Sequence, residues 1–193
     1  LENVKKEIED AEIVFGKKKG VTKLIAVSKT KSMDQIEKVI EKGQVHFGEN
    51  RVQEAISKWE VVKSNRKDLK IHLLGPLQTN KVKKVFSLFD YIHSLDRLSL
   101  AEKLSREAQE RGYCPKLFVQ VNTGKEEQKS GVFPENLKEF IRLSKKTYQL
   151  DIVGLMCIPP INEKPEQHFS LLRDLAKVNG LNELSMGMSA DYK

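Results

Sequence analysis

Lys29 closes the apolar run Leu24-Ile25-Ala26-Val27-Ser28-Lys29, where a buried parallel strand should end and a loop begin. A lysine at the carboxyl end of such a strand stands at the mouth of an α/β fold, where ligands bind. Partial desolvation there would leave its amine neutral often enough to attack a carbonyl. The plain alternative is a solvated lysine that starts the next loop, and with 27 lysines in the chain the position needs support from elsewhere. His46, His72 and His93 fall on three consecutive predicted strands and suggest a metal-dependent hydrolase. Such sites want an H-x-H pair or clustered carboxylates at a strand end, and this sequence has neither, so we expect no metal and read these histidines as satisfied structural ones. Cys157, between Met156 and Ile158, reads as a small core residue in preference to a nucleophile. The loop from Gly124 to Gly131 is equally a solvated connection or a lid.

Positioning these residues falls to a regular alternation of patterns. Residues 1–15 carry an approximate helical stripe of Val4, Ile8, Ala11, Ile13 and Phe15. Strands are expected at 22–29, 44–48, 70–74, 91–95, 116–122, 151–158 and 183–188. Helices are expected at 32–42, with Ser32 as N-cap and Gly43 as stop, then at 51–63, from Asn80 to about Phe89, from Asp96 to near Gly112, at 133–147 and at 164–178. Trp59 and Val62 read as core packing on the second of these. Strict βα alternation gives an open doubly wound sheet or a closed (β/α)8 TIM barrel. No strand is followed by a G-x-G-x-x-G fingerprint, and polar or glycine-bearing residues gather at the ends of successive strands, so the barrel is the expectation. One βα unit of ~30 residues is wanting after Met188, and the chain is read as a single domain over 1–193 with its last helix and strand missing.

The strand ends read Ser28-Lys29-Thr30, Gly48-Glu49-Asn50, Gly75-Pro76-Leu77-Gln78, Ser94-Leu95-Asp96, Asn122-Thr123-Gly124, Met156-Cys157-Ile158-Pro159 and Ser185-Met186-Gly187-Met188-Ser189. Around one mouth they describe a small-molecule pocket, and the segment about Ser189 would suit a phosphate held by backbone N–H groups and a hydroxyl. With the runs from His46 to Glu54, His72 to Lys81, Gly154 to Pro159 and Leu184 to Asp191, this chain resembles the YggS/PROSC family of pyridoxal phosphate homeostasis proteins from about residue 22 onward. The resemblance implies a fold-type III barrel like the amino-terminal domain of alanine racemase, with pyridoxal 5′-phosphate (PLP) as cofactor. It implies that Lys29 forms the internal aldimine, that Asn50 lies near the cofactor's 3′ oxygen, and that Ser189 and Met186 lie beside the phosphate and ring. His72 is implied more loosely, near the ring. The family's final Arg-x-Gly-Thr-like segment is not in the chain, which puts cofactor affinity in question.

Composition narrows the function classes. No apolar stretch approaches the ~20 residues of a membrane helix, the opening Leu1-Glu2-Asn3-Val4 carries no signal-peptide pattern, and two distant cysteines make no disulfide framework, so a cytoplasmic protein with reduced thiols is expected. The formal net charge of +7 comes from lysines interleaved with glutamates and only seven scattered arginines, a solvated helix surface and no nucleic-acid footprint. An RNA-binding module would instead show steeply salt-dependent binding. Given PLP, racemisation needs bases on both faces of a planar carbanion. Alanine racemase takes its second base, a tyrosine, from a domain for which this chain has no room. Of Tyr91, Tyr113, Tyr148 and Tyr192, only Tyr192 falls near the expected mouth. The sequence therefore reads as a monomeric PLP carrier acting in PLP homeostasis with little or no turnover, its partners PLP and PLP-dependent apoenzymes. The alternative is a PLP-dependent amino-acid racemase.

Overall fold

The computed structural model describes residues 1–192. Seven parallel strands follow in sequence order, each hydrogen-bonded to the next: β1 (Ala26–Val27), β2 (His46–Glu49), β3 (Lys70–Leu73), β4 (Tyr91–Leu95), β5 (Lys116–Gln120), β6 (Ile152–Met156) and β7 (Glu183–Ser185). Parallel neighbours require crossovers, and helices supply them. α1 (Glu2–Val14) leads, and α2 (Met33–Glu41), α3 (Val52–Asn65), α4 (Val82–Val85), α5 (Leu98–Arg111), α6 (Leu137–Lys146) and α7 (Pro165–Val178) connect successive strands.

Side-chain alternation divides the strands into two faces. Phe47, Ile71, Leu73, Ile92, Leu117 and Val119 are almost wholly buried in the core that the strands share with the helices. His46, Gly48, His72, Tyr91, His93, Phe118 and Ser185 point the other way, inward. The His93 Nδ1 on β4 lies 2.7 Å from the Ser185 Oγ on β7. In a flat sheet three strand spacings would hold them roughly 14 Å apart, so the sheet is rolled into a barrel wall. β1 and β7 are its outer strands, each paired on one side among the described residues.

Most expected elements are present, with instructive differences at their ends. Ser32 caps α2 through a reciprocal capping box with Gln35, as its position predicts. Asn80 does not start a helix reaching Phe89: a 3₁₀ turn over Thr79–Lys81 leads into a single α-turn. Buried Leu88 and Phe89 are needed there as core contacts, and the chain leaves the helix to deliver them to the next strand. Asp96 does not cap α5. Arg97 holds that place, and its guanidinium bonds the Asp96 carboxylate at 2.6 Å and the Leu77 carbonyl at 2.7 Å. β1 is two residues long where eight were expected, and among the described residues it pairs with β2 alone.

Candidate functional site

Lys29 lies two residues beyond β1. The register pairs Ala26 with Phe47 and Val27 with Gly48, and Ser28 N–H continues the ladder by donating to the Gly48 carbonyl at 2.9 Å. There the ladder ends: Lys29 and Thr30 form a turn closed by the Lys31 N–H donating to the Ser28 carbonyl at 3.1 Å, and Asn50 follows β2, so both lie just past the carboxyl ends of neighbouring strands, while Ser28 and Glu49 face the helices. Lys29 is exposed, so the partial desolvation expected of it is not supplied by this chain's own packing. Asn50 is half-buried, and its side-chain amide makes no hydrogen bond among the described residues. Its backbone is pressed from the next loop: a Cβ on Gly75 would lie 2.2 Å from the Asn50 carbonyl oxygen, so only glycine permits the β2 and β3 loops to meet.

Met186 and Ser189 follow β7 on the same end of the barrel, and both are exposed. Gly187 takes φ +88°, and beyond it the Asp191 carboxylate accepts from the Met188 N–H while the Asp191 N–H donates to the Met188 carbonyl at 3.1 Å. This compact turn carries the Ser189 hydroxyl. Tyr192, the tyrosine nearest the mouth in sequence, donates its hydroxyl to Glu7 of α1.

His72 sits deeper, paired with Gly48 and almost fully buried. Its Nε2 lies 2.9 Å from His46 Nδ1 and its Nδ1 2.9 Å from His93 Nε2, and the His93 Nδ1 reaches Ser185. A neutral imidazole has one donor and one acceptor, so the three rings must run their hydrogen bonds in one direction. Tyr91 stacks on His72 at 4.2 Å and Phe118 on His93 at 4.4 Å. Burial, reinforced by the neighbouring imidazoles, pushes His72 down to about 2, and burial takes His93 down to about 3. Both rings are neutral at ordinary pH, as the satisfied structural role requires. No group of three or more His, Cys, Asp or Glu side chains among the described residues is arranged to hold a metal ion. Cys157 is buried, and burial pushes its thiol up to about 12, which suits a core residue and no nucleophile.

A second polar cluster, assigned no role from the sequence, lies behind Lys29 on the helix-facing side. The Glu49 Oε1, fully buried, accepts from Ser28 Oγ at 2.7 Å, Trp59 Nε1 at 2.9 Å and Lys58 Nζ at 3.0 Å. Lys58 also donates to the Ser28 carbonyl at 2.8 Å and to Glu54 Oε1 at 3.1 Å, and Glu54 Oε1 accepts the Thr30 N–H at 2.8 Å. The one signal in the sequence was the Glu54–Lys58 spacing of four on a helix, which by itself describes a surface pair. That Trp59 would bring a buried carboxylate with it was not legible.

The profile of the family described as "Alanine racemase, N-terminal domain" matches residues 3–192. A pyridoxal phosphate homeostasis protein of Aquifex aeolicus strain VF5 is 39% identical over all of this chain and 86% of its own length. One of Synechocystis sp. strain PCC 6803 is 40% identical over 88% of this chain and 82% of its own. The chain belongs to the pyridoxal phosphate homeostasis protein family. Among solved structures, PipY of Synechococcus elongatus PCC7942 with PLP bound aligns with a TM-score of 0.78 at 38% identity, covering 96% of this chain and 90% of that one. Alanine racemase of Clostridium difficile 630 aligns with a TM-score of 0.69 at 16% identity over 95% of this chain and 50% of its own, which identifies the shared alanine-racemase-type barrel. A primary amine, a carboxamide with no hydrogen bond among the described residues and a hydroxyl on a tight turn, each just past the carboxyl end of a strand, are groups whose chemistry suits an aromatic aldehyde that also bears a hydroxyl and a phosphate.

Proposed function

We propose that this chain binds PLP at the barrel mouth through Lys29 and serves intracellular PLP homeostasis as a reversible carrier with little or no turnover. What supports this reading is that Lys29 and Asn50 follow the neighbouring strands β1 and β2 at the same end of a chain that belongs to this family. When bound, the cofactor supplies an aldehyde conjugated to an electron-withdrawing pyridine ring. Lys29 would hold the cofactor through its primary amine, a linkage that forms with loss of water and that water undoes. The Asn50 carboxamide would be a donor for the ring's hydroxyl. Ser189, with the backbone N–H groups of its turn, would hold the phosphate, and Met186 would supply apolar contact. His72 contributes from beneath. With both nitrogens committed to His46 and His93, it supports the inward face and donates nothing to the ligand directly.

The absence of turnover rests on proton chemistry. Lys29 offers a base on one face, and racemisation needs a second on the other. The hydroxyl of Tyr192, the nearest candidate in sequence, is already given to Glu7. The naming of relatives for homeostasis supports the same reading. In this account the protein is a single domain, monomeric and cytoplasmic, and it passes PLP to PLP-dependent apoenzymes. No helix among the described residues is long and apolar enough to cross a membrane.

Mixing the protein with PLP should produce visible absorbance that travels with the protein through gel filtration, and Lys29→Ala should abolish it. A protein that takes up no PLP would sink the proposal. Deuterium entering the α-carbon of free amino acids much faster than with PLP alone would favour a racemase.

A further inference from the structure

Thr30, immediately after Lys29, holds φ +63°. A β-branched residue in the left-handed region is a strained outlier, and such strain persists where surrounding structure enforces it. The enforcing contacts are on both sides of Lys29. On one side, every polar group of Ser28 is held: its N–H bonds Gly48, its hydroxyl bonds Glu49, and its carbonyl accepts both from Lys58 and from the Lys31 N–H that closes the turn. On the other, the Thr30 N–H is held by Glu54. Lys58 Nζ joins the two sides by touching Ser28, Glu49 and Glu54 together, and its side chain is only 10% exposed. Lys29 itself has no burial to fix it. Its aim depends on these two flanking residues.

We propose that Glu49, Glu54 and Lys58 are positioning residues: a clamp behind the barrel wall that holds the strained Ser28–Thr30 turn and so presents the Lys29 amine to the mouth. The inference rests on Lys29 being the attachment residue. The clamp acts through the backbone and touches neither cofactor nor reacting atoms. The Glu54 carboxyl is held below its ordinary range, first by the Thr30 N–H and then by Lys58, as befits a carboxylate that works ionised. Its effect should be on the rate at which Lys29 captures an aldehyde that must arrive in one orientation. Capture of an aldehyde with no orientation to satisfy should not change.

Glu54 is the member to test, because its side chain is 31% exposed and its loss leaves Glu49 paired with Lys58. The unsubstituted protein, Glu54→Ala and Glu54→Gln are each reacted with PLP and, separately, with formaldehyde. Cyanoborohydride is present, and labelling at Lys29 is followed by peptide mass analysis. Glu54→Ala should slow PLP capture at Lys29 by about tenfold, the scale of strain at such a residue, while formaldehyde labels Lys29 at the unsubstituted rate. Glu54→Gln keeps an acceptor for the Thr30 N–H and should recover most of the PLP rate. An unchanged PLP rate in Glu54→Ala would overturn the proposal, as would equal losses in the two variants or parallel losses with both aldehydes. If PLP does not label Lys29 in the unsubstituted protein, the attachment reading itself falls. That result is separate from any difference among the Glu54 variants.

Discussion

Lys29 is one exposed amine among 27 lysines, and its chemistry follows from where the backbone puts it. Ser28 and Glu49 face the helix side, where they meet Lys58 and Trp59, and the next residues, Lys29 and Asn50, stand at the strand ends, so one short stretch serves the mouth and its support at once. The close approach of the β3 loop completes the arrangement. A Gly75→Ala substitution would drive its Cβ into the Asn50 carbonyl, a contact with backbone that no rotamer relieves. We expect Gly75→Ala to cost about 1–3 kcal/mol in denaturant unfolding and to weaken PLP binding in a titration, since Asn50 must move. Unchanged stability with unchanged PLP affinity would show that the two loops are not coupled as described.

The strands carry an unusual load for a barrel, whose interior is ordinarily filled by branched apolar residues. Here β2, β3 and β4 each contribute an inward histidine, and β7 ends the chain of hydrogen bonds with Ser185. Replacing His72 with Leu would strand one nitrogen on His46 and one on His93. About 2 kcal/mol of stability should be lost at neutral pH. The chain also sets the acid response. With folded values near 2 and 3 against an ordinary 6.5, His72 and His93 stay neutral in the native state and take up protons on unfolding below that ordinary value. Their contribution is therefore complete above about pH 6.5 and shrinks as pH falls, each by up to roughly 1.4 kcal/mol per pH unit. Unfolding curves between pH 7 and 5 should show that slope, and His72→Leu should be flatter by one proton. An equal slope in both proteins would mean that His72 is already protonated in the fold.

Across the whole molecule, the features legible in the sequence were those set by local pattern. Short apolar runs between helical patterns marked the seven strands, β4 to the residue, and Ser32 marked the start of α2. The wrong details have tertiary causes. The segment after Asn80 has helical composition but must surrender Leu88 and Phe89 to the core. At the proposed site, Lys29 and Ser189 stand out in the sequence as strand-end residues, and Asn50 through the family resemblance. The Glu49–Glu54–Lys58 clamp could not, because a buried carboxylate bridging three elements leaves only a surface-like i,i+4 pair in the sequence. Behind the +7 charge, several lysines lie beside carboxylates, as Lys42 beside Glu2 and Lys125 beside Glu135.

The central claim is that one lysine of 27 is the attachment point. Borohydride reduction of the PLP-loaded protein, followed by proteolysis and mass analysis, reads this directly. We expect a single phosphopyridoxyl group on the peptide containing Lys29, and none on that peptide or elsewhere in Lys29→Ala. A label spread over many surface lysines, or retained at one other lysine when Lys29 is removed, would contradict the account.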